Sequence, residues 1–241
     1  MPSRNLWKNP VLMAWLVLWG GAIAAQAFQL GGRSTEEWVK TLESPQRIAG
    51  LKIEEVISRL KLKPGMIVAD IGAGTGVFSR PFAKAVAPGG KVYAVDVDQG
   101  LVDYIAQRAK QENSSNVQAV LGKFEDPNLP SRDVDVAFFH DVLHHIEHRE
   151  AYLKTLVSYL KPTGRIVLIE IDPANPQHPH QEHVEKEHGM QLSKESATHW
   201  LAALGFQPAE EFDLFKGEKW FVIYEREAPP VQEEMEMHGH E

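Results

Sequence analysis

The chain has 241 residues, 43% hydrophobic, 24% charged and 9% aromatic, the balance of a globular domain large enough to bury its own core. Its 25 Lys and Arg against 33 Asp and Glu give a formal net charge of −8, the wrong sign for affinity built on neutralising phosphates, so nucleic acid is not an expected partner. Cysteine is absent, which excludes disulfides, thiolate metal sites and cysteine nucleophiles.

Arg4 and Lys8 precede an apolar run of 15 residues from Val11 to Ala25, and Ala25-Gln26-Ala27 puts small residues where a signal peptidase reads. A membrane-crossing helix takes about 20 residues, so 1–27 is expected to be a secretory signal peptide cleaved near Ala27, with a retained membrane anchor as the alternative. The expected location is then periplasmic or secreted, or membrane-associated through 1–27. Residues 28–226 form the expected domain, and the Pro-, Glu-, Met- and His-rich 227–241 a disordered tail.

Within the domain, short β-like runs alternate with helical stretches, the pattern of a mostly parallel sheet with helices on both faces. Ser34 and Glu37 predict a capping box. Ile53, Val56, Ile57 and Leu60 follow at helical spacing, Lys63-Pro64-Gly65 breaks the helix, and 66–71 reads as a buried strand leaving through a Gly72 to Gly76 turn. A helix over 77–87 ends at Pro88-Gly89-Gly90, a strand follows over 91–96, and Asp98 caps the next helix. Further strands are predicted at 117–121, 134–139 and 165–171, the last after a helix stopped by Pro162 and Gly164. Residues 172–190 are Pro- and His-rich without period. Their run from His178 to His188 is read as a substrate lid, an exposed loop or, less favoured, a metal site. A helix resumes at Ser193, and a two-strand hairpin turns at Lys216-Gly217-Glu218.

The chemistry is concentrated in Asp70-Ile71-Gly72-Ala73-Gly74-Thr75-Gly76, where the first strand hands over to a helix and a ligand is expected at the carboxyl edge of the sheet. Asp96 ends the next strand 20 residues after Gly76, where a carboxylate accepts hydrogen bonds from ribose hydroxyls. Loop and acid together point to a nucleoside. A dinucleotide fingerprint wants its third glycine one residue later, at Val77, and a Walker loop wants a lysine that is missing. Asp70 would repel a pyrophosphate and suits a cationic ligand, which fits S-adenosylmethionine.

These residues, with Asp96 and the segment 134–146, resemble the class I S-adenosylmethionine-dependent methyltransferases over about 53–224. The resemblance implies a three-layer Rossmann-like α/β sandwich, its seven-stranded sheet ordered 3-2-1-4-5-7-6 with the last strand antiparallel. It further implies that Asp70, Gly72, Gly74 and Gly76 face the methionyl part of the donor, Asp96 the ribose, and Val97 the adenine. Many relatives have Gly-Asp after the third strand, but this chain has Gly122-Lys123-Phe124-Glu125-Asp126, and a lysine cannot accept the adenine hydrogen bond. Glu125 or Asp126 is the substitute if the loop turns either inward, with Phe124 as a stacking or backbone contact.

Methyl transfer asks the protein to align donor and acceptor and to take a proton where the acceptor holds one. The exit of the fourth strand reads His140-Asp141-Val142-Leu143-His144-His145. His144 and His145 are the candidate bases, Asp141 the candidate orienting partner, and His140 is grouped with the donor-binding residues. The expected acceptor is a small molecule or lipid-like. The alternatives are a methyltransferase-like protein that only binds a nucleoside, favoured by Lys123 and the export signal, and a nicotinamide-dependent oxidoreductase.

Overall fold

The structure, a computed structural model, describes residues 33–174 and 192–227. The signal-peptide reading, the His178 to His188 run and the C-terminal tail fall outside them. Three helices come first: α1 (Thr35–Leu42), α2 (Pro45–Gly50) and α3 (Ile53–Leu60). The capping box opens α1 as expected, with Ser34 Oγ accepting from Glu37 N and Glu37 Oε2 accepting from Ser34 N at 2.8 Å. The alternation then runs β1 (Ile67–Ile71), α4 (Ser79–Ala85), β2 (Lys91–Asp96), α5 (Gln99–Gln111), β3 (Val117–Leu121), β4 (Val134–His140), α6 (Arg149–Val157), β5 (Leu160–Ile171), α7 (Lys194–Ala202), β6 (Phe206–Phe212) and β7 (Lys219–Arg226).

The seven strands form one sheet ordered β3-β2-β1-β4-β5-β7-β6. Strands β1 to β5 pair in parallel, and β7 runs antiparallel to both β5 and β6. This is the α/β sandwich implied by the resemblance. Because successive side chains in a strand point to opposite faces, the apolar strands feed two cores. Ala69, Ala137, Phe139, Ile166 and Leu168 pack with Leu153 and Leu156 of α6 and Leu201 of α7. Val68, Val136, Phe138, Val167 and Ile169 pack with Val56 and Leu60 of α3 and Phe82 of α4.

Three local differences from expectation have physical causes. α4 is shorter than 77–87 because Gly74 and Gly76, at φ 58° and 74°, carry the turn further along the chain. β5 starts at Leu160, so Pro162 and Gly164 lie inside it, where the pairing with β4 shifts register between Val134 and Val136; an irregularity of this kind absorbs residues that a regular ladder rejects. α2, with Pro45 in its first turn, was not expected, since six residues carry no readable period.

Phe138, fully buried, has its ring centroid 4.9 Å from those of both Phe78 and Phe82. Phe138→Ala is expected to destabilise the fold by about 3–5 kcal/mol, read as a lowered denaturation midpoint with an unchanged slope.

Candidate functional site

The carboxyl ends of β2, β1, β4 and β5 lie side by side and bring the acidic residues of the chain's motifs to one edge. Asp70, one residue before the end of β1, is buried, its Oδ2 accepting from Ser79 Oγ at 2.5 Å. Burial raises its pKa to about 7, the Ser79 bond opposing and the Asp96 charge adding to the rise. Asp96 ends β2, also buried, with Oδ2 accepting from Gly74 N at 2.8 Å and Oδ1 from Asp98 N at 3.0 Å. Burial lifts it to about 6 against those backbone bonds. The carboxylate therefore ties the glycine loop to β2, and each oxygen keeps a second lone pair for a ligand hydroxyl.

The loop needs its glycines. Gly72 and Gly74 have positive φ, a Cβ on Gly72 would overlap the Val142 side chain, and one on Gly74 would lie 3.0 Å from Leu42 Cδ1. Thr75 Oγ1 is buried in the loop without a hydrogen-bond partner among the described residues. Leu42 brings the end of α1 over the loop.

Beyond β2, Val97 and Phe124 are half-buried and Glu125 is exposed. Asp126 does not turn toward the nucleoside edge as a free acceptor: its Oδ1 takes hydrogen bonds from Asn128 N at 2.7 Å and Tyr159 OH at 2.9 Å.

At the end of β4, the structure separates residues that the sequence grouped. Asp141 is not the partner of His144. It has φ 55°, and its Oδ2 binds Lys219 Nζ of β7 and lies 3.2 Å from His140 Nδ1, without the alignment of a hydrogen bond. Burial alone would raise the Asp141 pKa, but His140 and Lys219 hold it well below the usual range. His140 is buried among Phe78, Phe138 and Phe215, and burial lowers its pKa despite Asp141.

The partner of His144 is Glu170, which the sequence reading missed. Fully buried on β5, Glu170 accepts from Val142 N at 3.0 Å and Leu143 N at 2.6 Å through Oε1, while Oε2 lies 2.6 Å from His144 Nδ1. Burial would lower the His144 pKa, but the Glu170 hydrogen bond and charge outweigh it and the pKa stands above the ordinary value. A carboxylate at Nδ1 fixes the neutral ring as the Nδ1–H tautomer and leaves Nε2 as the proton acceptor. Arg149 secures this turn by donating to Leu143 O and His144 O. His145 is exposed, its ring centroid 4.0 Å from that of His144.

Among the described residues no group of three or more metal-ligating side chains is placed to hold an ion, and no helix is long and apolar enough to cross a membrane.

Comparison with known proteins bears directly on this edge. A family model described as a methyltransferase domain matches residues 62–220. The ubiquinone/menaquinone biosynthesis C-methyltransferase UbiE of Ectopseudomonas mendocina is 32% identical over 117 residues, covering 48% of this chain and 46% of that protein. The demethylmenaquinone methyltransferase of a Geobacillus species is 25% identical, covering 48% and 50%. The chain thus spans about half the length of the curated relatives it matches. Among solved structures, a SAM dependent methyltransferase from Aquifex aeolicus superposes with a TM-score of 0.68 at 24% identity, over 80% of this chain and 98% of that one. The magnesium protoporphyrin IX methyltransferase of Synechocystis with bound SAH gives 0.66 at 19%, over 86% and 100%. At such identities the structures speak for the fold alone, while the family model covers most of the chain together with the glycine loop, Asp96 and the His144–Glu170 pair. The nicotinamide reading is set aside, and the chain belongs to the class I S-adenosylmethionine-dependent methyltransferases.

Proposed function

We propose that the protein transfers the methyl group of S-adenosylmethionine to a small-molecule or lipid-like acceptor bearing an acidic proton, with His144 as the general base and Glu170 as its positioning residue. The observation that carries this reading is the 2.6 Å contact of His144 Nδ1 with Glu170 Oε2 at the carboxyl edge of β4 and β5. The small acceptor is supported by the curated relatives, named as a ubiquinone/menaquinone biosynthesis C-methyltransferase and a demethylmenaquinone methyltransferase.

The residues present fit the donor. The glycine loop is a cradle that side chains would fill, Thr75 Oγ1 is an unpartnered polar atom within it, and Asp96 keeps lone pairs for ribose hydroxyls. Val97 and Phe124, half-buried beside β2 and β3, supply apolar surface for the adenine. When bound, the donor supplies a methyl group made electrophilic by the sulfonium. Asp70 and Asp96 set a negative field in a low-dielectric site, where it is least screened. Glu170 holds the His144 ring, stabilises its protonated form, and leaves Nε2 to take the proton of the acceptor. His145 is exposed and its ring is tilted 44° against that of His144, so the base is assigned to His144, whose Nδ1 Glu170 holds.

Export through residues 1–27 is part of the proposal, on Arg4, Lys8 and the Val11 to Ala25 run. N-terminal sequencing of protein from a bacterial periplasm is expected to start at Phe28; a cytosolic product starting at Met1 would overturn it.

Two further outcomes are expected. First, the ionised forms of Asp70 and Asp96, raised to about 7 and about 6, attract the cationic donor, so its affinity by calorimetry rises several-fold between about pH 6 and about pH 8. Asp70→Asn flattens the upper part of that rise, and a wild-type affinity independent of pH would contradict the electrostatic account. Second, with labelled donor and a panel of phenols and hydroquinones, His144→Ala lowers kcat by about 10²–10⁴-fold. Glu170→Gln removes the charge that raises the His144 pKa, so the acidic limb of kcat/KM moves to lower pH while the plateau falls. An unmoved limb, or His144→Ala turnover equal to wild type, would remove the dyad from the mechanism.

A further inference from the structure

The face of the sheet that carries the His144–Glu170 dyad also borders a cavity lined by none of the residues assigned to the donor. The cavity is about 400 Å3, within the size range of small-molecule pockets, and lies between the end of β5, the start of α7 and the strand ends that flank the β6–β7 turn. Trp220 is part of its wall and joins it to the base. On antiparallel β5 and β7, Glu170 and Trp220 are direct register partners, and residues so paired project to the same face with Cβ atoms about 5 Å apart. The indole therefore stands beside the carboxylate that holds His144.

Trp220 is buried, yet its Nε1–H has no hydrogen-bond partner among the described residues. An indole N–H can only donate, and a buried one without an acceptor is a desolvated dipole, so this position calls for an oxygen on whatever fills the cavity. Charge sets a second condition. Lys194 is matched by Glu211 at 2.5 Å, and Lys219 by Asp141. Asp172 and Asp213 of the same wall have no ion-pair partner among the described residues; each accepts one backbone N–H through Oδ1, from Ala174 at 2.9 Å and from Gly217 at 3.0 Å. The cations of the wall are matched, and these two carboxylates are not.

We propose that this cavity seats the methyl acceptor, with Trp220 Nε1–H donating to an acceptor oxygen and the indole lying along the acceptor's ring, and that the unmatched carboxylates of Asp172 and Asp213 turn away acids. The substrate class is then an uncharged aromatic alcohol rather than an aromatic carboxylic acid, although both carry a hydroxyl for His144 to deprotonate. The inference rests on the proposed function and narrows it. Selection works by repulsion as much as by contact, since an anion placed here meets like charge in a partly desolvated wall.

The test uses 2-naphthol and 6-hydroxy-2-naphthoate, the same rings and hydroxyl with a carboxylate added. S-adenosylhomocysteine is titrated first into the full chain, and calorimetry near neutral pH then reads both naphthyl ligands on wild type, Trp220→Phe and Asp172→Asn. Wild type is expected to bind 2-naphthol at least about tenfold more tightly than the naphthoate. Trp220→Phe keeps a ring in the wall but removes the donor, and is expected to lose about 3–10-fold for 2-naphthol, the size of one neutral hydrogen bond, with S-adenosylhomocysteine bound as in wild type. Asp172→Asn narrows the difference between the two naphthyl ligands several-fold. Should Trp220→Phe lose S-adenosylhomocysteine as well, it has lost its fold rather than one contact, and Asp172→Asn decides. Wild type binding both naphthyl ligands equally or neither of them, Trp220→Phe with unchanged affinity for 2-naphthol, or Asp172→Asn with an unchanged difference would overturn the inference, while S-adenosylhomocysteine binding leaves the donor reading standing. Wild type that also fails to bind S-adenosylhomocysteine would overturn both.

Discussion

Taking a carboxylate out of water is among the most expensive things a fold can do, and this protein does it, wholly or in part, at the ends of four adjacent strands. Asp70, Asp96, Asp141 and Glu170 stand on or just beyond β1, β2, β4 and β5, neighbours in the sheet. Each is accommodated differently. Asp70 takes a serine hydroxyl and a raised pKa, Asp96 two backbone N–H groups, Asp141 a lysine, and Glu170 two backbone N–H groups and a histidine. The result is an anionic ridge at the carboxyl edge, and the shape of the donor loop, the turn after β4 and the poise of His144 all follow from how those charges are satisfied.

How much of this could be read from the sequence depends on whether the signal was local. The glycine loop and Asp96 were legible because loop geometry and strand length fix their separation, and a parallel sheet then places them together. The strand order came from the resemblance, and the hairpin of β6 and β7 from the turn residues between two apolar runs. Glu170 was hidden in the run Ile166 to Ile171, which reads as a continuously buried strand. The signal was available: a carboxylate one position from the end of such a strand repeats Asp70 in β1, and Asp96 closes β2. Lys219 was not legible, since its meaning depends on a contact across 78 residues.

Asp141 shows how proximity in sequence misleads. It lies three residues from His144, but the chain turns through a left-handed conformation at Asp141 and sends the carboxylate toward β7 while His144 turns to β5. Neighbours along the chain thus end on different partners, Asp141 on Lys219 of β7 and His144 on Glu170 of β5.

That turn also narrows what evolution can put there. The left-handed region is readily adopted by glycine, asparagine and aspartate, and of the three only aspartate brings a negative charge. Main-chain shape and electrostatic demand converge on a single residue type, so drift at this position would cost either the course of the backbone or the neutralisation of Lys219, and an exchange of function would have to begin elsewhere on the edge.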